Sequence, residues 1–443
     1  MKSAGIQYDK IRTIIKYEKK DLFPFLAGIL YICSELTRGT LRFLIPFFSE
    51  REVLVYGIQD SIIVILVILS YLTRYGTKNK KIQIWPIYVI SFGSIVWSVL
   101  FHPEYREWFK HSEYGLTITI FHMTSGIFGL LIFGLFNDKK KIFSMLVYGC
   151  RLNLLWHIYE YSAYLKRGYW EAYLGDGTLA RLDYGLNYGY RVVLCAIFFM
   201  ILCVYNKKMI DLISFVISLM LVIICGSRGP LLCIAISSLL LFTSIWSKNK
   251  GSKIKFLFLF SILLIGLVLF VAGIPVLMEQ IIKVLKNANI STRTIQMLLN
   301  GEIMNDSGRS KIYEIAFEMI KNGGLLGYGF YGDRYVIGRT WHYGYPHNLF
   351  LEWLIQYGVL FGGMIIITFL VNVIRMIFKC KDSTWQALFI TLLGATVKLW
   401  LSDSFWYYWP FWALVALLEI WNKEEGYLKR RKRIKFTLSV KRR

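Results

Sequence analysis

Runs of about 20 apolar residues, parted by short charged stretches, recur from one end of the chain to the other, and no other feature restricts the fold as much. A helix of that length crosses the hydrocarbon of a bilayer. The apolar content, 56% of 443 residues with 17% aromatic, exceeds what a soluble protein of this size hides. The expected fold class is therefore an all-α integral membrane protein with about a dozen transmembrane helices. The spans are predicted at 22–48, 53–72, 82–101, 116–136, 142–162, 186–205, 209–226, 230–246, 256–275, 353–378, 385–401 and 409–421. The chain reads as a single polytopic domain over 1–443. A large extracytoplasmic loop at 276–352 parts the ninth and tenth spans, and a basic cytoplasmic tail occupies 422–443.

The formal net charge of +24 invites a nucleic-acid reading, but its distribution argues otherwise. Lysine and arginine gather in the even-numbered turns: Arg74 to Lys81, Lys139 to Lys141, Lys207 and Lys208, Lys248 to Lys255, Lys379 and Lys381, and the tail from Lys429 to Arg433. The odd-numbered turns at 49–52, 102–115, 163–185, 227–229, 276–352 and 402–408 are mixed or acidic by comparison. Cationic turns stay on the cytoplasmic face beside anionic lipid. The expected location is thus the cytoplasmic (inner) membrane, multi-pass, with both termini cytoplasmic and no nucleic-acid partner. The first twenty residues are too charged for a cleavable signal peptide and read as a cytoplasmic stretch anchored by Lys16, Lys19 and Lys20. All seven cysteines fall in or beside apolar segments, so no external disulfide framework is expected.

Polar residues inside apolar frames are the first candidates for function. Glu35, Arg38 and Arg42 would lie in the first span, and the expectation is a shorter span with these residues at its outer end. His157 and Glu160 in the fifth span, Asp183 and Arg191 near the third external loop, and Asp403 near the last have the chemistry to line a sugar-binding cavity, although mutual pairing within the bundle is the expected role. The aromatic run Phe405 to Trp409, with Trp412, reads as an interfacial belt, with stacking on sugar rings as the lesser reading. Gly327-Tyr328-Gly329-Phe330-Tyr331-Gly332 matches G-x-G-x-x-G literally. Such a fingerprint needs a strand before it, whereas an amphipathic helix with Ile312, Ile315, Ala316, Met319 and Ile320 on one face precedes it. The glycines are better suited to tight turns beneath a cleft.

The large loop carries an ordered set of motifs. Ser307-Gly308-Arg309-Ser310 opens the amphipathic helix, the Gly-x-Gly element follows, and Pro346-His347-Asn348-Leu349-Phe350-Leu351-Glu352-Trp353 leads to Gly358. Upstream stands the tight turn Gly226-Ser227-Arg228-Gly229-Pro230. Together these resemble the O-antigen polymerase and O-antigen ligase superfamily, membrane glycosyltransferases that assemble bacterial surface polysaccharides such as O-antigen and capsule. The resemblance runs from Ser227 to Gly363. It implies a GT-C-like membrane glycosyltransferase whose donor and acceptor are oligosaccharides carried on polyprenyl (undecaprenyl) diphosphate, with membrane lipid and a chain-length regulator as further partners. It also implies direct displacement at the anomeric carbon, with inversion and without a metal, so no cofactor is expected.

Topology puts Arg228, Arg309 and His347 on the external side, where the resemblance expects the catalytic groups. Guanidinium forks suit the paired oxygens of a diphosphate and stay charged when partly desolvated. His347 has a side chain suited to taking a proton from an acceptor hydroxyl. Ser227 and Asn348 join Arg228 and Arg309 as expected substrate-binding residues. His342 is a substitute for His347, and Glu352 is read as capping the following helix. Polymerisation of lipid-linked repeats is the leading expectation; transfer of a finished glycan to a lipid or protein acceptor is the alternative. A lipid-linked sugar flippase, from a different functional class, would show paired discontinuous helices in two repeated halves, and no such repeat is evident.

Overall fold

The apolar runs fold as helices in the computed structural model, which describes residues 19–44, 52–74, 85–111, 115–116, 119, 122, 125–136, 138–173, 179–182, 185–225, 227–246, 282–283, 296, 309–340 and 344–440. In chain order the helices begin with α1 (Lys19–Ile32), α2 (Ser34–Leu44), α3 (Glu52–Arg74) and α4 (Trp85–Phe101). After the one-turn α5 (Arg106–Phe109) come α6 (Phe128–Gly134) and α7 (Lys139–Arg167). A hairpin of β1 (Trp170–Tyr173) and β2 (Leu179–Leu182) precedes α8 (Leu186–Asn206), α9 (Met209–Ile224) and α10 (Arg228–Trp246). The rest are α11 (Arg309–Gly323), α12 (Gly332–Ile337), α13 (Leu349–Tyr357), α14 (Gly363–Lys379), α15 (Ser383–Thr396) and α16 (Trp409–Val440).

Four stretches among the described residues are long and apolar enough to cross a membrane: Leu54–Thr73, Leu186–Asn206, Arg228–Ile245 and Leu349–Lys379. The chain is thus predominantly helical, with stretches suited to a membrane. Helix α8 is apolar all round beyond its first turns and accordingly lies in the middle, packed by α7, α9, α10 and α15. The ninth predicted span and the amphipathic stretch at 277–299 lie outside the described residues or nearly so.

The contacts sort the turns into two sets. Lys139 Nζ reaches Asp382 at 2.8 Å and Glu424 at 3.3 Å, and Lys141 Nζ reaches Asp21 at 2.5 Å. These join the chain's beginning, two of the basic turns and the last helix. At the far end of α7, Tyr164 stacks on Trp170, which in turn packs on Tyr188. The Tyr105 hydroxyl donates to the Tyr328 carbonyl at 3.0 Å, and Arg334 Nη2 donates to Ser404 Oγ at 2.8 Å.

Several expectations need correction. The fold is not purely helical: Trp170 pairs with Leu182, Glu171 with Arg181 and Tyr173 with Leu179 across the hairpin. The intervening Gly175-Asp176-Gly177 contains an Asp-Gly pair, which is a hairpin signal in the sequence. The drawn span 22–48 gives way to the shorter one expected: α1 stops at Ile32, and Glu35, Arg38 and Arg42 lie beyond it on a separate helix, α2. Of the fourth predicted span, α6 covers only Phe128–Gly134 among the described residues. The aromatic run is no lipid-facing belt, because Phe405, Trp406, Tyr408 and Trp412 are buried within the protein. The indole N–H groups find partners inside: Trp406 Nε1 donates to Gln356 Oε1 at 3.1 Å and Trp412 Nε1 to the Phe405 carbonyl at 2.7 Å.

Candidate functional site

His347 sits just before α13, on a backbone held in the left-handed region at φ 52°. A residue with a Cβ rarely adopts this conformation, which costs on the order of 1–3 kcal/mol unless neighbours enforce it. The following residue supplies part of the enforcement. Asn348 is the N-cap of α13, its Oδ1 accepting from the amides of Phe350 at 3.0 Å and Leu351 at 3.2 Å. The Tyr345 ring lies 4.5 Å from the imidazole and closes its other side. Burial, then the Arg309 cation, pushes the His347 imidazole down to about 4, with Asp403 acting the opposite way. At neutral pH this side chain is an uncharged base.

Arg309 opens α11, and its charge, like that of Asp403, bears on both His347 and the Tyr190 hydroxyl. Arg228 opens α10 and adjoins Gly229, where an added Cβ would collide with that same hydroxyl. Tyr190 is therefore the common neighbour of the two arginine-bearing helix starts. Buried Ser227 completes the turn. Lys398 Nζ bonds Asp403 at 2.6 Å and lies 5.0 Å from the Tyr190 ring centre and 4.9 Å from that of Tyr408. Asp403, like His347, has a left-handed backbone, at φ 68°. Arg309, His347, Asp403 and the Arg228 turn thus gather at one end of the bundle. His342, Ser307, Gly308 and Asp183 lie outside the described residues.

Behind His347 stands a polar cluster that sequence reasoning missed. Arg334 is fully buried, donating from Nη1 to Asp333 at 2.5 Å and to Glu352 at 3.0 Å, and from Nη2 to Ser404 at 2.8 Å. Ser404 Oγ donates to Glu352 Oε1 at 2.5 Å, and Gln356 Nε2 to Asp333 Oδ1 at 3.2 Å. The guanidinium also faces the rings of Tyr331, Tyr345 and Tyr407. Glu352 is consequently not the helix cap expected of it; Asn348 has that role, and Glu352 points inward to Arg334. The cluster joins the His347 loop to the Asp403 turn and holds both strained residues in place. Lys398 was overlooked as well, although a lone cation in an apolar span is itself a signal.

The Gly-x-Gly element repairs a helix break. Gly358, at φ 70°, interrupts the path from α13 to α14 and leaves carbonyls without their helical donors. Tyr328 N–H donates to the Ile355 carbonyl at 2.8 Å and Gly329 N–H to that of Gln356 at 2.9 Å. In return Val359 and Leu360 donate to the carbonyls of Gly324 and Leu325, at 3.2 and 3.3 Å. Backbone groups away from water must be satisfied this way, and the approach leaves no room for side chains at Gly327 or Gly358.

The polar groups of the fifth and sixth spans pair as anticipated, and they also line a cavity. His157 Nδ1 lies 2.8 Å from Glu160, Arg191 donates to Glu160 at 2.6 Å, and Glu35 binds Arg38 and lies 3.7 Å from Arg191. Glu35, Arg38, His157, Arg191, Lys398 and Asp403 all face a cavity of about 240 Å³.

The fold and site define a helical membrane protein with a polar, arginine-bearing recess at one end of its bundle. Residues 213–368 match the family model described as O-antigen ligase, and over this segment the chain is similar to the O-antigen ligase and polymerase superfamily. The match spans Arg228, Arg309, His347 and the Arg334 cluster up to Gln356. A ligase- or polymerase-type role on lipid-linked glycans follows at that coarse level. No match to the chain was found among curated proteins or among solved structures.

Proposed function

We propose that the chain is a polysaccharide polymerase that joins polyprenyl-diphosphate-linked repeat units on the external face of the inner membrane. The reading takes the chain as a twelve-span, GT-C-like enzyme with both termini cytoplasmic. One observation carries it: Arg309 and the neutral imidazole of His347 lie within electrostatic reach of each other, at the end where the Arg228 turn meets Tyr190.

The acceptor hydroxyl attacks the anomeric carbon and His347 takes its proton. The bond from that carbon to the diphosphate oxygen breaks, and the electron pair leaves with the diphosphate. Arg228 and Arg309 offset the charge that builds there, each contributing on the order of 3–4 kcal/mol by analogy with other preorganised donors. Donor binding also tunes the base. A diphosphate against Arg309 cancels the cation that depresses His347 and adds negative charge, so the imidazole gains basicity when the donor is seated. Ser227 and the amide of Asn348 are the accompanying polar contacts.

Arg228→Ala, Arg309→Ala and His347→Ala should each abolish polymer while the protein still inserts. Wild-type chain lengths from any two of them would remove the proposed site. Arg309→Lys should be severely impaired, because an ammonium cannot reproduce the fork. The name of the matching family favours a second reading, a ligase that passes finished glycan to a lipid or protein acceptor. Deleting the gene separates the two: single repeat units at the surface indicate a polymerase, and long chains stranded on the carrier indicate a ligase.

A further inference from the structure

The cavity beneath the site has a composition that the transfer mechanism does not use. It lies between the break separating α1 from α2, the middle of α7, the first turns of α8 and the start of α16. Its cations are matched by carboxylates: Arg38 by Glu35, Arg191 by Glu160 and Glu35, and Lys398 by Asp403. Such a wall has no spare charge with which to hold an anion. It offers carboxylate oxygens and guanidinium N–H groups at short spacing, with the aromatic side chains Tyr190, Tyr407, Tyr408 and Trp409 around them. Burying paired charges inside a membrane bundle is costly, and a hydrophobic filling would be cheaper. The volume of about 240 Å³ equals roughly eight waters at about 30 Å³ each, which suits one ring-sized ligand and excludes a lipid headgroup with its chains.

We infer that this cavity is a subsite for a single uncharged pyranose unit of the lipid-linked glycan, seated by the paired charges of Arg191, Glu35 and Asp403 and by the aromatic wall. Hydroxyls bridge the carboxylates and guanidinium groups, while the flat faces of the sugar meet Tyr190 and Trp409. Asp403 and Tyr190 border both the cavity and the arginine–histidine recess, so the seated sugar lies next to the reacting centre. The inference rests on the glycosyl-transfer reading, yet the two can fail separately.

The test uses the full-length protein in detergent and, as probe, the free oligosaccharide repeat released from the host's own glycan, which carries no diphosphate. Binding is followed by calorimetry. Saturable binding is expected, weakened at least about tenfold by Arg191→Gln, which removes the guanidinium that Glu160 and Glu35 share and that a sugar hydroxyl would meet. Leu194→Phe, which fills the cavity without touching a charge, should have the same effect; if Arg191→Gln fails to fold, this variant alone decides. Arg309→Ala should retain binding, because that arginine serves the diphosphate. Absence of saturable binding to the intact protein overturns the subsite, as does binding that Leu194→Phe leaves unchanged. Displacement by inorganic diphosphate would also overturn it, identifying the cavity as an anion site. Should free glycan bind as expected while Arg309→Ala and His347→Ala still make polymer, the subsite stands and the catalytic assignment falls.

Discussion

His347 carries two opposed demands, since a general base must be unprotonated yet willing to accept a proton. Burial and Arg309 settle the first by holding the group at about 4 instead of its ordinary 6.5. The free enzyme should therefore keep its kcat/KM down to about pH 5, where a solvated histidine would already be protonated. An acid limb near 6.5 would contradict this environment. With only six histidines in the chain, NMR of labelled imidazoles can follow His347 directly, and Arg309→Gln should move its titration upward because a depressing cation is gone. The same shift affects stability. The folded state holds this proton less tightly than the unfolded state, so the contribution is fully present above about pH 6.5 and is lost as pH falls toward 4. The type of residue at 347 was legible because its neighbours form a recognisable order; its depressed basicity was not, because burial and the approach of Arg309 come from segments far apart in the chain.

At the scale of elements, the broken helix α13–α14 and the glycine loop form one unit. Gly327→Val would place a branched side chain against the Gly358 amide on a backbone at φ 76°, and should lower the thermal midpoint in detergent markedly. Gly363→Ala, with open space around it, should leave the midpoint nearly unchanged. Glu352→Ala removes one of the two carboxylates paired with the buried Arg334 and should cost up to about 3–5 kcal/mol. Asn348→Ala removes a cap worth about 1 kcal/mol and should loosen His347 more than it unfolds the protein, which would appear as lost activity at nearly full stability. The sequence announced a tight turn at 327–329 through its glycines but could not say what the turn touches. Glu352 misled because acidic residues in a first helical turn usually serve the helix start, whereas here a buried guanidinium claims the carboxylate.

At the scale of the whole molecule, charge suggests a grouping of the turns, and the ion pairs among Lys139, Asp382 and Glu424 and between Lys141 and Asp21 join two of the basic turns to the first and last helices. Reporter fusions at residue 176 and after residue 440 should give opposite signals, external for the first and cytoplasmic for the second. Equal signals would invalidate the assignment of sides. The sequence by itself determined the solvent, the helical character and the residue types at the recess, because each is written in local hydropathy or short motifs. Only tertiary structure decided that Arg334 joins two loops, that the Trp406 run turns inward and that the charges of the first, fifth and sixth predicted spans share a cavity with Lys398. Those arrangements depend on pairing between residues as far apart as Arg334 and Ser404 or Glu35 and Arg191, and a buried charge is stable only when such a distant partner arrives.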